Sequence, residues 1–468
     1  MSQDHDLVIL GSGSTAFAAA LRAQSLGAKV LMVEKSVPGG TCVNWGCIPS
    51  KTLIHSALFH HEARLGREAG LGLSVSGIDY DALAAHKERA VQHLRQTKYF
   101  DILREVPGLT LLKGTGRFLD RNTIEVDERK IHGDRFLVAT GGTPKIIEFP
   151  GIHEVDYLTS RSFLLLKKLP ESLLIIGGGV IALELGQMCH RLGIRVTILE
   201  HGPRVLPMVE DEPALHLQQT LLDDGMEIVL NASICSVQKA AGSTSVQAEI
   251  SGERKEYSAE RLLLAVGTSP ASRDIGLEKA GVETDAKGFI KVDERMCTTA
   301  QGISAAGDVT GGMMIATVGA REGIVAVDNM LRPDCACKID YLSTPMAIFT
   351  DPELGMAGYS EDDARKAGFT VMTSLLPASE IPKAHVTGST AGLIKMIADK
   401  QSGRLLGVHL LCHNGAELIN EAALAIRLRA TIDDMVNTLH VYPSMGEGLR
   451  LCAQGFSRDV RKLSCCAE

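Results

Sequence analysis

Two cysteines five residues apart, Cys42 and Cys47, lie in the stretch Gly39-Gly40-Thr41-Cys42-Val43-Asn44-Trp45-Gly46-Cys47-Ile48-Pro49-Ser50-Lys51. Thiols this close can hold two electrons as a disulfide and release them as a dithiol. In a loop that runs into a helix, the helix N-terminus also favours their thiolates. A structural disulfide or two buried thiols would suit an isolated pair equally well. A second pair, Cys465 and Cys466, is adjacent in the tail Lys462-Leu463-Ser464-Cys465-Cys466-Ala467-Glu468. Adjacent thiols near a chain end are poor core residues, and thiolates select soft cations, so this pair suits metal capture.

Such thiols need elements that bring a two-electron donor to them. Asp6 to Leu10 reads as a buried parallel strand. It runs into Gly11-Ser12-Gly13-Ser14-Thr15-Ala16, a helix from Phe17 to Leu26, and a strand from Lys29 to Val33 that ends at Glu34. Gly11, Gly13 and Ala16 let a backbone approach a pyrophosphate at the helix N-terminus, and Glu34 can accept from ribose hydroxyls. The unit repeats about 166 residues later: strand Ser172 to Ile176, then Gly177-Gly178-Gly179-Val180-Ile181-Ala182, a helix to Leu192, and a strand to Leu199 ending at Glu200. Two such units argue for two nucleotide cofactors. Ala139-Thr140-Gly141-Gly142-Thr143-Pro144 closes the first, and Ala265-Val266-Gly267-Thr268-Ser269-Pro270 closes the second. Later, Ala306-Gly307-Asp308 delivers an Asp to a strand end, where it can hold a cofactor hydroxyl.

The remainder sets bounds. A chain of 468 residues makes two to four domains, and 45% apolar with 22% charged residues is ordinary for a soluble globular protein. The net charge of −8 leaves no footprint for nucleic acid or anionic membrane. No apolar run spans a bilayer and the polar N-terminus carries no secretory leader, so a reducing, cytoplasmic setting is expected. Most of the 11 cysteines should then be thiols.

Residues 52–105 read as helical, with His60 and His61 as surface histidines rather than metal ligands. Leu109 to Val138 reads as a small antiparallel layer, and Pro150-Gly151 as a boundary region. Cys335-Ala336-Cys337 reads as two incidental thiols. From Tyr341 on, strands and helices alternate without a fingerprint, as in an α+β interface domain.

In this order Gly39 to Lys51, the two fingerprints and Ala306-Gly307-Asp308 resemble the flavin-dependent pyridine nucleotide–disulfide oxidoreductases over essentially the whole chain. The resemblance implies an α/β fold with two Rossmann-like domains and a C-terminal α+β dimerisation domain. Residues 1–145 and 271–338 would bind FAD, residues 146–270 would bind NAD(P)H, and residues 339–468 would dimerise and carry the Cys-Cys tail. It implies FAD contacts from Gly11, Gly13, Ala16, Glu34, Thr41, Lys51, Gly116, Thr140, Gly141, Asp308 and Ala316. It implies NAD(P)H contacts from Gly177, Gly179, Ala182, Glu200, Arg204 and Gly267. Electrons would pass from NAD(P)H through FAD to Cys42 and Cys47, with Cys47 as the thiolate against the flavin and Cys42 as the exchanging thiol. Lys51 would lie near the flavin and pair with Glu184. The protein would be a homodimer with active sites at the subunit interface.

Two features choose within the family. Its disulfide reductases carry His-Pro followed by Glu four residues after the Pro, as base and orienter. Here Pro443 and Glu447 keep the spacing but Tyr442 replaces the His. Phenol titrates near pH 10, so Tyr442 is a poor base for thiol exchange, though it can donate a hydrogen bond beside a thiolate. His440, in a strand, would share its face but sit several Å away. The tail resembles that of the mercuric reductase branch, which implies reduction of Hg(II) to Hg(0), with Cys465 and Cys466 passing the metal to Cys42 and Cys47. The alternatives are a dihydrolipoamide-type or other disulfide reductase, and a flavin-bearing thiol protein that sequesters soft metals without turnover. The extra N-terminal metal-binding domain of many members of that branch is not expected. Glu200 would repel a 2′-phosphate and Arg204 could offset that, so NADH is expected to serve at least as well as NADPH.

Overall fold

The computed structural model describes residues 5–66, 70–75, 77–332 and 334–462. Cys465 and Cys466 lie outside the described residues. Three five-stranded sheets carry the fold. The first is all parallel, in the order Ile303–Ala305, Phe136–Val138, Leu7–Leu10, Val30–Glu34, Leu109–Lys113. The second is also all parallel, in the order Glu227–Val229, Arg195–Leu199, Ser172–Ile176, Arg261–Leu264, Tyr157–Thr159. All the strands of the second sheet fall between Phe136–Val138 and Ile303–Ala305, so the chain leaves the first sheet, completes the second and returns. Leu7–Leu10 is buried at every position, which is why it is one unbroken apolar run. An antiparallel layer covers each parallel sheet region, 116–132 in one case and 233–259 in the other.

The third sheet is antiparallel, with Leu393–Asp399 and Leu405–Cys412 buried at every residue. Lys395 lies on the first of these strands, with only 4% of its side chain exposed, and its ammonium meets Glu210 at 2.9 Å, Glu212 at 2.7 Å and Glu361 at 2.9 Å. Burial disfavours the charge, but hydrogen bonds to the three carboxylates hold its pKa above the ordinary lysine value. This cluster ties the segment after the second fingerprint to the third sheet.

Helix Ser14–Ser25 packs on helix Ala316–Leu331. The approach requires small residues: a Cβ on Gly323 would come within 2.6 Å of the Thr15 carbonyl oxygen. This contact brings the first fingerprint and the Gly307-Asp308 turn together.

The structure corrects several expectations. Leu109–Lys113 and Phe136–Val138 belong to the first parallel sheet, and only 116–132 form the antiparallel layer. His60 is half-buried, with Nδ1 3.0 Å from the Arg191 carbonyl oxygen, and is no free surface histidine. Residues 439–443 form no strand, so His440 and Tyr442 share no strand face. His440 instead turns to Glu421, at 2.8 Å. Cys335 and Cys337 are joined by a disulfide rather than standing as two separate thiols. A strand at Glu353–Gly358, unsigned in the sequence, pairs with Leu405–Cys412. Among the described residues no helix is long and apolar enough to cross a membrane.

Candidate redox active site

The redox stretch folds as a short helix, Gly40–Trp45, followed by Cys47–Leu65. Asn44 fixes the turn: its side-chain N–H groups donate to the Pro38 carbonyl at 3.1 Å and the Gly40 carbonyl at 2.9 Å. The stretch lies directly on the first fingerprint, since a Cβ on Gly40 would sit 2.6 Å from the Gly13 Cα. Trp45 is explained by a contact the sequence did not signal: the Arg161 guanidinium stacks 3.7 Å from its ring centroid.

Cys42 is half-buried, Cys47 is exposed, and both are free thiols. They form one hydrogen-bonded unit in which the proton stays on Cys42. The bond from Cys42 is the largest influence on Cys47. Burial opposes it, the Lys51 charge assists it, and the pKa of Cys47 falls to about 7. The same bond and burial push the Cys42 thiol well above its ordinary range. Cys47 is also the first residue of its helix, where a thiolate is favoured.

Lys51 stands one turn on from Cys47. Its Nζ is 2.6 Å from Glu184 Oε2 and 4.7 Å from the Phe349 ring centroid. Glu184 belongs to the helix that opens the second fingerprint and is 4% exposed. Its other oxygen accepts the Phe349 N–H at 3.0 Å. One buried carboxylate thus joins the redox helix, the second fingerprint and the third unit. Phe349, at the end of a short strand, carries no motif by which the sequence could have placed it.

The two fingerprints are built alike. Gly11 and Gly177 have φ of +115° and +108°, and a Cβ there would meet the Ala139 carbonyl oxygen at 2.3 Å and that of Ala265 at 2.5 Å. No other residue fits either place. Glu34 accepts from the Ser12 hydroxyl at 2.7 Å and the Ser36 N–H at 2.6 Å. Glu200 accepts from the Gly178 N–H and, at 2.6 Å, from the Gly202 N–H. Helices Ser14–Ser25 and Val180–Arg191 begin without a side-chain cap, which leaves their first N–H groups directed at the cradle. Beside Gly11 a cleft of about 660 Å³ is lined by Glu34, Gly116 and Thr140, among others. Thr140 Oγ1 is buried there without a hydrogen-bond partner. Asp308 is kept above the usual carboxylate range by burial and by the Glu322 charge. These features fit a dinucleotide that carries hydroxyls and phosphates.

Arg204 is placed differently from what its sequence position suggested. It donates to the carbonyls of Val205, Leu206, Pro207 and Val209 and pairs with Asp211 at 2.7 Å. Tyr442 is 49% exposed. Glu447 is buried, one of its oxygens has no partner, and burial raises its pKa against the opposing charges of Arg450 and His440.

The chain belongs to the pyridine nucleotide–disulphide oxidoreductase family: that family's model matches residues 5–323, and the family's dimerisation-domain model matches residues 344–453. It is an FAD-dependent oxidoreductase that uses NAD(P)H. Among curated relatives it is 39% identical to the mercuric reductase of Staphylococcus aureus, over 99% of this chain and 84% of that protein. It is 36% identical to that of Streptomyces lividans, over 99% of this chain and 98% of that protein. Among solved structures it resembles a Cu(II) complex of the HOCl-induced flavoprotein disulfide reductase RclA from Escherichia coli, with a TM-score of 0.86 and 30% identity, covering 97% of this chain and 99% of that one.

Proposed function

We propose that this protein reduces Hg(II), presented as a thiol complex, to Hg(0). FAD held by Gly11, Gly13, Glu34, Thr140 and Asp308, and NAD(P)H held by Gly177, Gly179 and Glu200, supply two electrons when bound. Residues 1–145 and 271–338 form the flavin domain, 146–270 the nucleotide domain and 339–468 the dimerisation domain. In the homodimer, Cys465 and Cys466 of the partner subunit take the metal first. Cys47 enters the exchange already as thiolate, and Cys42 gives up its proton as it binds. In this transfer two sulfur–mercury bonds form as the two to Cys465 and Cys466 of the partner subunit are broken, and that pair is left as one thiol and one thiolate. The metal is therefore never released as a bare ion. Lys51, held by Glu184, keeps a cation one turn from Cys47 and stabilises the negative charge there. On reduction both sulfurs are freed and mercury leaves uncharged.

The observation that carries this reading is Tyr442. Disulfide exchange needs a base that takes and returns a proton near neutrality, and a phenol does not supply one. Metal exchange between thiolates needs none. Relatives named mercuric reductase support the same choice. The flavoprotein disulfide reductase neighbour favours the second reading, reduction of a disulfide substrate. NAD(P)H oxidation measured with Hg(II) in excess small thiol, beside an assay with lipoamide, separates the two. Mercury-dependent oxidation with negligible lipoamide turnover supports the first reading, and the reverse pattern overturns it. A chain that only sequesters metal would show neither.

A further inference from the structure

The linker between helix Ala316–Leu331 and the third sheet carries the disulfide Cys335–Cys337. Both cysteines are half-buried and Ala336 between them is exposed. Their backbone is held independently of the sulfurs. The Cys335 N–H donates to the Arg332 carbonyl at 2.9 Å, and the Cys335 carbonyl accepts from the Arg295 guanidinium at 2.9 Å. The Cys337 N–H donates to Asn329 Oδ1 at 3.1 Å, and its carbonyl accepts from Asn329 Nδ2 at 2.9 Å. Asn329 and Arg295 are themselves joined, since Asn329 Nδ2 also donates to the Arg295 carbonyl at 3.1 Å. Opening the disulfide therefore leaves two thiols on one side of a fixed turn.

We propose that reduced Cys335 and Cys337 form a second metal site, a two-thiolate chelate for one soft cation of low coordination number. The site opens when two small thiols pass two electrons and two protons to the disulfide and leave as their own disulfide. Binding then forms two sulfur–metal bonds as the two to the cation's small-thiol ligands break, and those thiols leave with the two cysteine protons. The site lies apart from the Cys42–Cys47 pair and holds metal without reducing it. Hg(II) is the probe because of the function proposed above. In the reducing setting expected for this chain, the open form is the one that meets metal.

The test uses the full-length holoprotein, reduced with a monothiol. It carries Cys42→Ala, Cys47→Ala, Cys465→Ala and Cys466→Ala, so that the other metal-binding thiols are removed. After dialysis with Hg(II) against the monothiol, one mercury per chain should be retained. Retention should fall at least tenfold when Cys335→Ser and Cys337→Ser are added. Equal retention in both overturns the proposal. Independently, in the otherwise wild-type protein Hg(II) should protect Cys335 and Cys337 from alkylation, and full labelling in its presence also overturns it. The Cys335→Ser/Cys337→Ser protein should keep its flavin and its turnover. Absence of mercury-dependent NAD(P)H oxidation in the wild-type protein, with retention intact in the variant lacking the other four cysteines, would sink the function proposed above and leave this site standing. The opposite result would sink this site alone.

Discussion

Cys47 is a thiolate near neutral pH because Cys42 donates to it first and Lys51 stands one turn away second. That order gives a ranking. Labelling of reduced protein with iodoacetamide, read at Cys47 by mass spectrometry across pH, should show a midpoint near 7. Cys42→Ala should raise that midpoint more than Lys51→Gln does. The sign follows from each change removing something that favours the charged form. A larger shift with Lys51→Gln would make the lysine charge the dominant influence. The coenzyme question also lies at this scale. Glu200 is held between two backbone N–H groups, while Arg204 is bound to four carbonyls and Asp211. NADH should therefore be used at least as well as NADPH in kcat/KM, and Arg204→Ala should change that ratio less than about threefold, well under the tenfold that 1.4 kcal/mol represents. A tenfold or greater preference for NADPH, lost in Arg204→Ala, would show the guanidinium turned outward.

At the scale of elements, the two glycine turns do separate jobs. Gly11→Ala forces a Cβ against the Ala139 carbonyl and should yield protein with little bound flavin. Gly177→Ala does the same at Ala265 and should keep the flavin while raising KM for NAD(P)H tenfold or more. Flavin content by absorbance and steady-state kinetics check both, and matched effects of the two variants would contradict it. These turns were legible in the sequence because strand, glycines, helix and acid repeat at fixed spacing. The Lys51–Glu184 pair was legible only through resemblance, since 133 residues separate the partners. Leu109–Lys113 was read as antiparallel because, at the edge of its sheet, it is only partly buried, with Thr110 and Lys113 exposed, and lacks the unbroken apolar run of a central parallel strand. Glu353–Gly358 gave no strand signal because it must be thin. A Cβ on Gly355 would meet the Gly415 carbonyl oxygen and Ile419 Cβ, both at 2.9 Å. The Trp45–Arg161 stack and the Cys335–Cys337 turn depend on side-chain directions that spacing does not reveal.

Across the whole molecule, the units are held by few but buried charged contacts. Lys395→Met would leave Glu210 and Glu212 without their buried cation and Glu361 with Arg365 alone, at a cost of about 3–5 kcal/mol. In wild type Glu361 is held below its ordinary pKa by Arg365 and Lys395, so this stability is present above about pH 4.5 and is lost as pH falls below it. In the variant the clustered carboxylates would instead have raised pKa values, the folded state would bind more protons, and stability would fall as pH rises. The melting temperature of Lys395→Met should therefore be higher near pH 5 than near pH 7, while this cluster leaves wild type level over that range, and parallel pH profiles would contradict the cluster's role. The same convergence at Lys51, Glu184 and Phe349 places the redox cysteines where all three units meet, which is the arrangement that metal reduction would use. The most direct measurement of that function is trapping of mercury vapour during anaerobic NAD(P)H oxidation with thiol-bound Hg(II). One Hg(0) should leave for each NAD(P)H oxidised, and Cys42→Ala should abolish it. Oxidation without volatile mercury, or undiminished release by Cys42→Ala, would contradict reduction at the Cys42–Cys47 pair.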